Sequence, residues 1–212
     1  MTENSCHCCG SVTEHTAMDN SETEQWQGGD SVLTTELPAD LSSALGRFLG
    51  TESVETLGGW VAAVRYHIDG ASVTIDELCV TDGETDHWGI VDGEKYHFAC
   101  FYDAVILAAV VESPVDIRTK SPDGTVIEAR AVGTDKLTVN PGEAVFSFGI
   151  DKDISQPSED GPSLEDGYAA LCPYVNAFSN REAYERWADS VHAATISMPL
   201  EGATELAAVL VK

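Results

Sequence analysis

Basic residues are scarce in this chain: 11 Lys and Arg stand against 36 Asp and Glu in 212 residues, a formal net charge of −25. The acids run along the whole length, so the charge is not that of an acidic tail. That excess argues against a nucleic-acid partner, because a phosphate backbone would be repelled. It weakens a compact state in dilute buffer and is screened at high ionic strength. The composition is therefore read as that of a salt-adapted cytoplasmic protein, the rival being an acidic protein built for a basic partner. Long apolar runs are missing too. The longest, Ala104 to Val111, falls far short of the roughly 20 residues a membrane-spanning helix needs. The opening residues MTENSCHCCG have neither a basic stretch nor an apolar one, so no secretory signal is expected there. In a reducing compartment, the cysteines at 6, 8, 9, 79, 100 and 172 are expected as thiols or metal ligands, not as a disulfide framework.

What is present suffices for a core, with 43% of residues hydrophobic. Residues 1–30 are rich in Ser, Thr, Glu, Asn and Gly and poor in aliphatics, which predicts a disordered tail. Apolar periodicity predicts helices over Ala39–Leu49 and Val54–Ile68, and a short third over Ser72–Cys79. Asp-Gly and Glu-rich turns after it predict a hairpin or wing. Residues 31–92 are thus expected as a small helical, winged-helix-like subdomain. Residues 93–212 are expected as an α+β core: a helix over Ala99–Val111, then a β-meander through VDIRT, TVIEARAV, KLTV and AVFSFGI. The breaks between its strands are Ser121-Pro122-Asp123-Gly124 and Asn140-Pro141-Gly142. An acidic surface loop over 151–166 follows, then a terminal β-α-β segment and a last helix. Ser179 and Glu182 are spaced as a capping box for that segment's helix.

The chemistry is concentrated in HFACFYDAVILAAVV, His97 to Val111. Asp103 is the only charged residue between Phe98 and Val111, and Cys100 precedes it by one helical turn. Side chains at that spacing lie about 5–6 Å apart at Cβ. A carboxylate in apolar surroundings has its pKa raised by desolvation, which makes Asp103 a candidate proton donor. A deprotonated Cys100 would be a soft, nucleophilic ligand. Taken alone, the segment is equally served by a small buried cysteine and a local structural carboxylate. Cys172 shifts the balance. It lies in the apolar stretch GYAALCPYVNAF, where Pro173 fixes the backbone. Two cysteines and an aspartate without histidine favour a thiophilic metal and leave a coordination position open.

From about Lys95 to about Ala207 the sequence resembles the organomercurial (alkylmercury) lyases. The resemblance rests on Cys100-Phe101-Tyr102-Asp103 opening an apolar helix. It rests also on Cys172 ahead of an aromatic-rich strand, a Trp187-bearing helix and the strand AATISM. Many bacterial members carry a second cysteine directly after the downstream one, where this chain has Pro173. The resemblance implies protonolysis of a carbon–mercury bond to a hydrocarbon and Hg(II). Cys100 and Cys172 would bind mercury and Asp103 would deliver the proton, with no organic cofactor. External thiols would remove the metal, and a mercuric reductase is the implied acceptor.

The remaining cysteines carry weaker signals. Cys6, Cys8 and Cys9, with His7 among them, form a soft-ligand cluster that would capture mercury, or bind zinc, or do neither. Cys79 is expected as core. His87, His97 and His192 are isolated in sequence and receive no metal role. The competing function is a non-catalytic soft-metal binder, or a metal-responsive regulator with a Cys/Asp/Cys site. Against a regulator stands the expected third helix, which holds Asp76 and Glu77 and no Lys or Arg.

Overall fold

The computed structural model describes residues 31–34, 36–67, 73–111, 113–159 and 161–211. The expected tail, with Cys6, Cys8 and Cys9, lies outside the described residues. The architecture is α+β, with antiparallel sheets and helices packed against them.

The first helix, α1 (Ala39–Leu49), has the bounds its sequence predicts. Asp40 in its first turn and Arg47 in its last complement the helix dipole. Gly50 closes it in the left-handed conformation at φ 72°, which a residue with a Cβ adopts only at a cost. Leu41, Ala44, Leu45 and Phe48 share its buried face. The second helix, α2 (Leu57–His67), starts later than expected. Thr56 caps it, its hydroxyl accepting the Gly59 N–H at 3.0 Å.

Over the described residues 73–79 of the segment expected as a third helix, Ser72–Cys79, the helix is replaced by a 3₁₀ turn, Ile75–Glu77, and Leu78 returns to extended geometry. Tertiary pairing overrides the local pattern: Val80 bridges to Phe98, and the Ala99 N–H donates to the Cys79 carbonyl at 3.0 Å.

The expected hairpin is β1 (Trp88–Val91) and β2 (Glu94–His97). Asp92 and Gly93, both at positive φ, form its turn, the backbone that Asp-Gly favours in two-residue hairpins. Its place is new. β1 also pairs with β3 (Pro114–Lys120), so the hairpin is the edge of a five-stranded sheet, β2-β1-β3-β4-β5. A division at residue 92 falls in this turn, and one hydrophobic core runs from Val32 to Ala207. β4 (Val126–Val132) and β5 (Lys136–Asn140) continue the meander. Strict alternation of buried and exposed residues along β3 marks a sheet with one wet face.

The meander stops at β5, one strand earlier than expected. β6 (Val145–Asp151) crosses to a second sheet, β7-β6-β8, between β7 (Ala177–Phe178) and β8 (Ala193–Pro199). Val145–Ile150 and Ala193–Met198 are buried without alternation, as strands covered on both faces must be. Between β6 and β7 lies a helix the sequence reading omits, α4 (Leu164–Leu171). Ser163 and Asp166 form its capping box, Ser163 Oγ accepting the Asp166 N–H at 3.1 Å. The helix after β7, α5 (Arg181–Ala188), is capped by Asn180 and not by Ser179: Asn180 Oδ1 accepts the Ala183 N–H at 2.9 Å. The chain ends with α6 (Ala203–Leu210). The apolar helix α3 (Tyr102–Val111) packs against β3 and α6, and the Tyr102 hydroxyl donates to the Ala203 carbonyl at 2.8 Å. Among the described residues no helix is long and apolar enough to cross a membrane.

Candidate active site

Asp103 stands in the first turn of α3 and is 3% exposed. Cys100, 5% exposed, lies just ahead of the helix and not within it. The two still meet, because the turn leading into α3 points the thiol back at the carboxylate: Cys100 Sγ donates to Asp103 Oδ2 at 3.5 Å. Burial pushes the Asp103 pKa up from 3.8 to about 6, against hydrogen bonds from the Cys100 thiol and the Cys79 backbone N–H, which favour the ionised form. This carboxyl group therefore exchanges a proton near neutral pH.

Cys172 arrives from the other half of the chain. It follows α4 directly and opens a 3₁₀ turn, Cys172–Tyr174. That turn is held to β6 through Ser147, whose hydroxyl donates to the Tyr174 carbonyl at 2.8 Å and accepts the Asn176 N–H at 3.0 Å. The half-buried Cys172 thiol interacts with both Cys100 and Cys79. Those two contacts, then burial and the nearby charges, push its pKa up and favour the neutral thiol.

Around the three groups is an apolar cavity of about 150 Å³. Its walls are Trp60 and Val64 of α2, Tyr102 and Ile106 of α3, Phe146 and Phe148 of β6, Tyr168 and Leu171 of α4, and Leu206 and Leu210 of α6. Trp60 lies against Phe48 and Phe148, each at 6.1 Å between ring centroids. The helix α2 thus builds part of the wall, with Phe48 of α1 packed behind Trp60. Such a chamber offers an apolar surface for an organic group beside two sulfurs and a proton-carrying carboxyl.

A family model described as MerB, alkylmercury lyase, matches residues 80–212, more than half of the chain. The chain belongs to the alkylmercury lyase family. It is an enzyme of the organomercurial lyase class, acting on a carbon–mercury bond in a small-molecule substrate. Among solved structures it is similar to one titled "Crystal structure of the mercury-bound form of MerB2". The two share 14% identity at a TM-score of 0.47, over 82% of this chain and 91% of that one. No curated protein matches the sequence.

This alkylmercury lyase also differs from its sequence reading at the site. Cys79, expected as core, is half-buried and joins Asp103 and Cys172, the ligand atoms of all three lying within 4.8 Å of one another. The three cysteines among the described residues therefore converge on one place. No local pattern in the sequence announces this, because Cys79 is brought in by the strand-like pairing of 79–81 with 97–99. The histidines are placed elsewhere: His87 Nδ1 meets Thr119 Oγ1 at 2.6 Å, and His192 meets Asp153 at 2.9 Å on the exposed surface.

Proposed function

We propose that Cys100, Asp103 and Cys172 are the catalytic residues of this organomercurial lyase and that both sulfurs hold the mercury. The observation that carries the assignment is the buried Cys100–Asp103 hydrogen bond beside Cys172 in an apolar cavity. A substrate R–Hg–X first exchanges X for a cysteine sulfur, and the displaced thiol proton leaves with X. The second cysteine passes its proton to Asp103 as its thiolate binds mercury, raising the electron density at the metal. The carbon–mercury bond then breaks with its electron pair on carbon, and Asp103 supplies the proton. Atoms balance: one R–Hg–X and two thiols give R–H, HX and Hg(II) held by two sulfurs. The apolar lining of the cavity strengthens each charge interaction along this path.

The same reading extends to the protein's setting. No organic cofactor takes part; external thiols withdraw Hg(II), and a mercuric reductase is the acceptor. The acidic composition fits a halophilic member of the family working in a salt-rich cytoplasm. Cys6, Cys8 and Cys9 serve as an auxiliary mercury-capturing cluster. The deciding experiment incubates the full chain with an organomercurial and excess thiol and measures the hydrocarbon released. Wild type releases it and Cys100→Ser does not; equal release from both overturns the assignment.

A further inference from the structure

The cleavage step proposed above does not use Cys79, yet this residue does not sit where an inert cysteine would. A structural cysteine packs as a small hydrophobe among apolar neighbours. This sulfur instead faces a thiol and a carboxyl group: Cys79 Sγ, Cys172 Sγ and an Asp103 oxygen lie within 4.8 Å of one another. Two thiolates sharing a metal at bond lengths of about 2.3 Å stand roughly 4–4.6 Å apart, so the cluster has room for one ion. Its backbone is pinned at both ends, the carbonyl by the Ala99 N–H at 3.0 Å and the N–H by the Asp103 carboxylate. Tyr168, in the helix leading to Cys172, donates to the Glu77 carbonyl two residues before Cys79. The alignment of the two sulfurs is therefore built into the fold. Exposure is graded as well: Cys100 is 5% exposed, while Cys79 and Cys172 are half-buried.

We propose that Cys79 and Cys172, with Asp103 beside them, form a second mercury station that receives Hg(II) from the Cys100–Cys172 pair and presents it for release. The inference rests on that pair being the cleavage site. Cys172 touches both partners and stays bound throughout. In the transfer the mercury–sulfur bond to Cys79 forms and the bond to Cys100 breaks. The proton of the Cys79 thiol passes to the Cys100 sulfur, and Asp103, hydrogen-bonded towards both residues, is placed to carry it. No electrons change hands. A soft ion makes this exchange easy, since one thiolate replaces another of equal affinity class. The metal then leaves the deepest sulfur for two that incoming thiols can reach.

The test uses the full chain with Cys6, Cys8 and Cys9 changed to Ser, so that only the three clustered thiols remain. Mercuric chloride is added with glutathione as competitor, and bound metal and sulfur coordination are read by X-ray absorption. Adding Cys100→Ser should leave one Hg(II) bound through two sulfurs. Adding Cys79→Ser to that variant should lose the metal to glutathione. A folded Cys100→Ser protein that holds no mercury overturns the proposal, as does a Cys79→Ser change that leaves retention unaltered. Should the Cys100→Ser protein not fold, alkylation decides on the unsubstituted cluster: Cys79 protected in the mercury-loaded protein supports the station, and Cys79 modified as fast as in the free protein refutes it. Hydrocarbon release by the wild-type chain, measured in parallel, tests the cleavage site separately. Its absence would remove the cleavage reading and leave the mercury-retention result to stand by itself.

Discussion

The Tyr168 hydroxyl of α4 donates to the backbone carbonyl of Glu77, tying the helix that delivers Cys172 to the segment that delivers Cys79. Burial, and then the charge of Asp103, push the Tyr168 pKa up, so the phenol remains a neutral donor. It also forms part of the cavity wall. Tyr168→Phe keeps the wall and removes the tie. A lost hydrogen bond of this kind costs about 0.5–1.5 kcal/mol, or a few degrees of Tm for a chain of this size. Cleavage in the presence of saturating thiol should stay within a small factor of wild type, while Hg(II) held against glutathione should be lost faster. An unchanged retention time would show that the tie plays no part in aligning the sulfurs.

Asp103 has a stability consequence of definite sign. Its folded pKa, about 6, is above the ordinary 3.8, so the folded state holds the proton more tightly than the unfolded chain does. The buried carboxyl costs nothing below about pH 4, becomes destabilising as pH rises towards 6, and reaches a constant penalty above that. Two pH units correspond to about 3 kcal/mol at most. Asp103→Asn should therefore raise Tm at pH 7.5 and not at pH 4, with the difference opening between those values. A Tm difference independent of pH would mean that the group is not desolvated.

The same group sets the acid limb of the reaction. The Cys100–Asp103 pair must carry one proton between thiol and carboxylate for the mechanism to run. Below about pH 6 a second proton occupies Asp103, leaving no base to accept the thiol proton as mercury binds. The value of kcat/KM should then fall about tenfold per pH unit below 6. In Asp103→Asn the limb should vanish and cleavage should drop by at least about 10²-fold, with Hg(II) still bound by the sulfurs. Near wild-type release of hydrocarbon from that variant would make Asp103 a structural carboxylate.

Salt should stabilise this protein. Eleven Lys and Arg cannot pair one-to-one with 36 Asp and Glu, and the described ion pairs, such as Arg118–Glu128 and Lys120–Asp86, are exposed. Screening the surplus repulsion outweighs weakening those few pairs. Tm should climb on going from dilute buffer to molar KCl, and a flat or falling curve would contradict salt adaptation.

Where sequence and structure agree, the cause is local. The bounds of α1 follow from its apolar spacing and Gly50, and the β1–β2 turn from Asp92-Gly93, because neighbours along the chain are enough to set both. The Cys100–Asp103 contact belongs here too. Three residues of separation bring the side chains together in a helix or in the turn ahead of one, so the misplaced helix start did not matter. The apolar run after Asp103 likewise announced a buried carboxyl.

Everything that tertiary structure alone decided depends on segments distant in sequence. Ser72–Cys79 carries helix-like spacing, but the pairing of 79–81 with 97–99, a partner distant in sequence, takes the backbone groups of Cys79 and Thr81 out of any helix. The sequence of β6 reads as a strand without naming its neighbours, and the partners β7 and β8 determine which sheet it joins. The helix α4 is short, its cap uses Asp in place of Glu, and its stability comes from packing beside β6. Above all, no periodicity links Cys79 to Cys172. Their meeting is produced by a bridge at Val80, a tyrosine hydroxyl on Glu77 and a serine on β6 holding the Cys172 turn. A sequence determines which residues are able to bind a soft metal; only the packed chain determines which sulfurs share one.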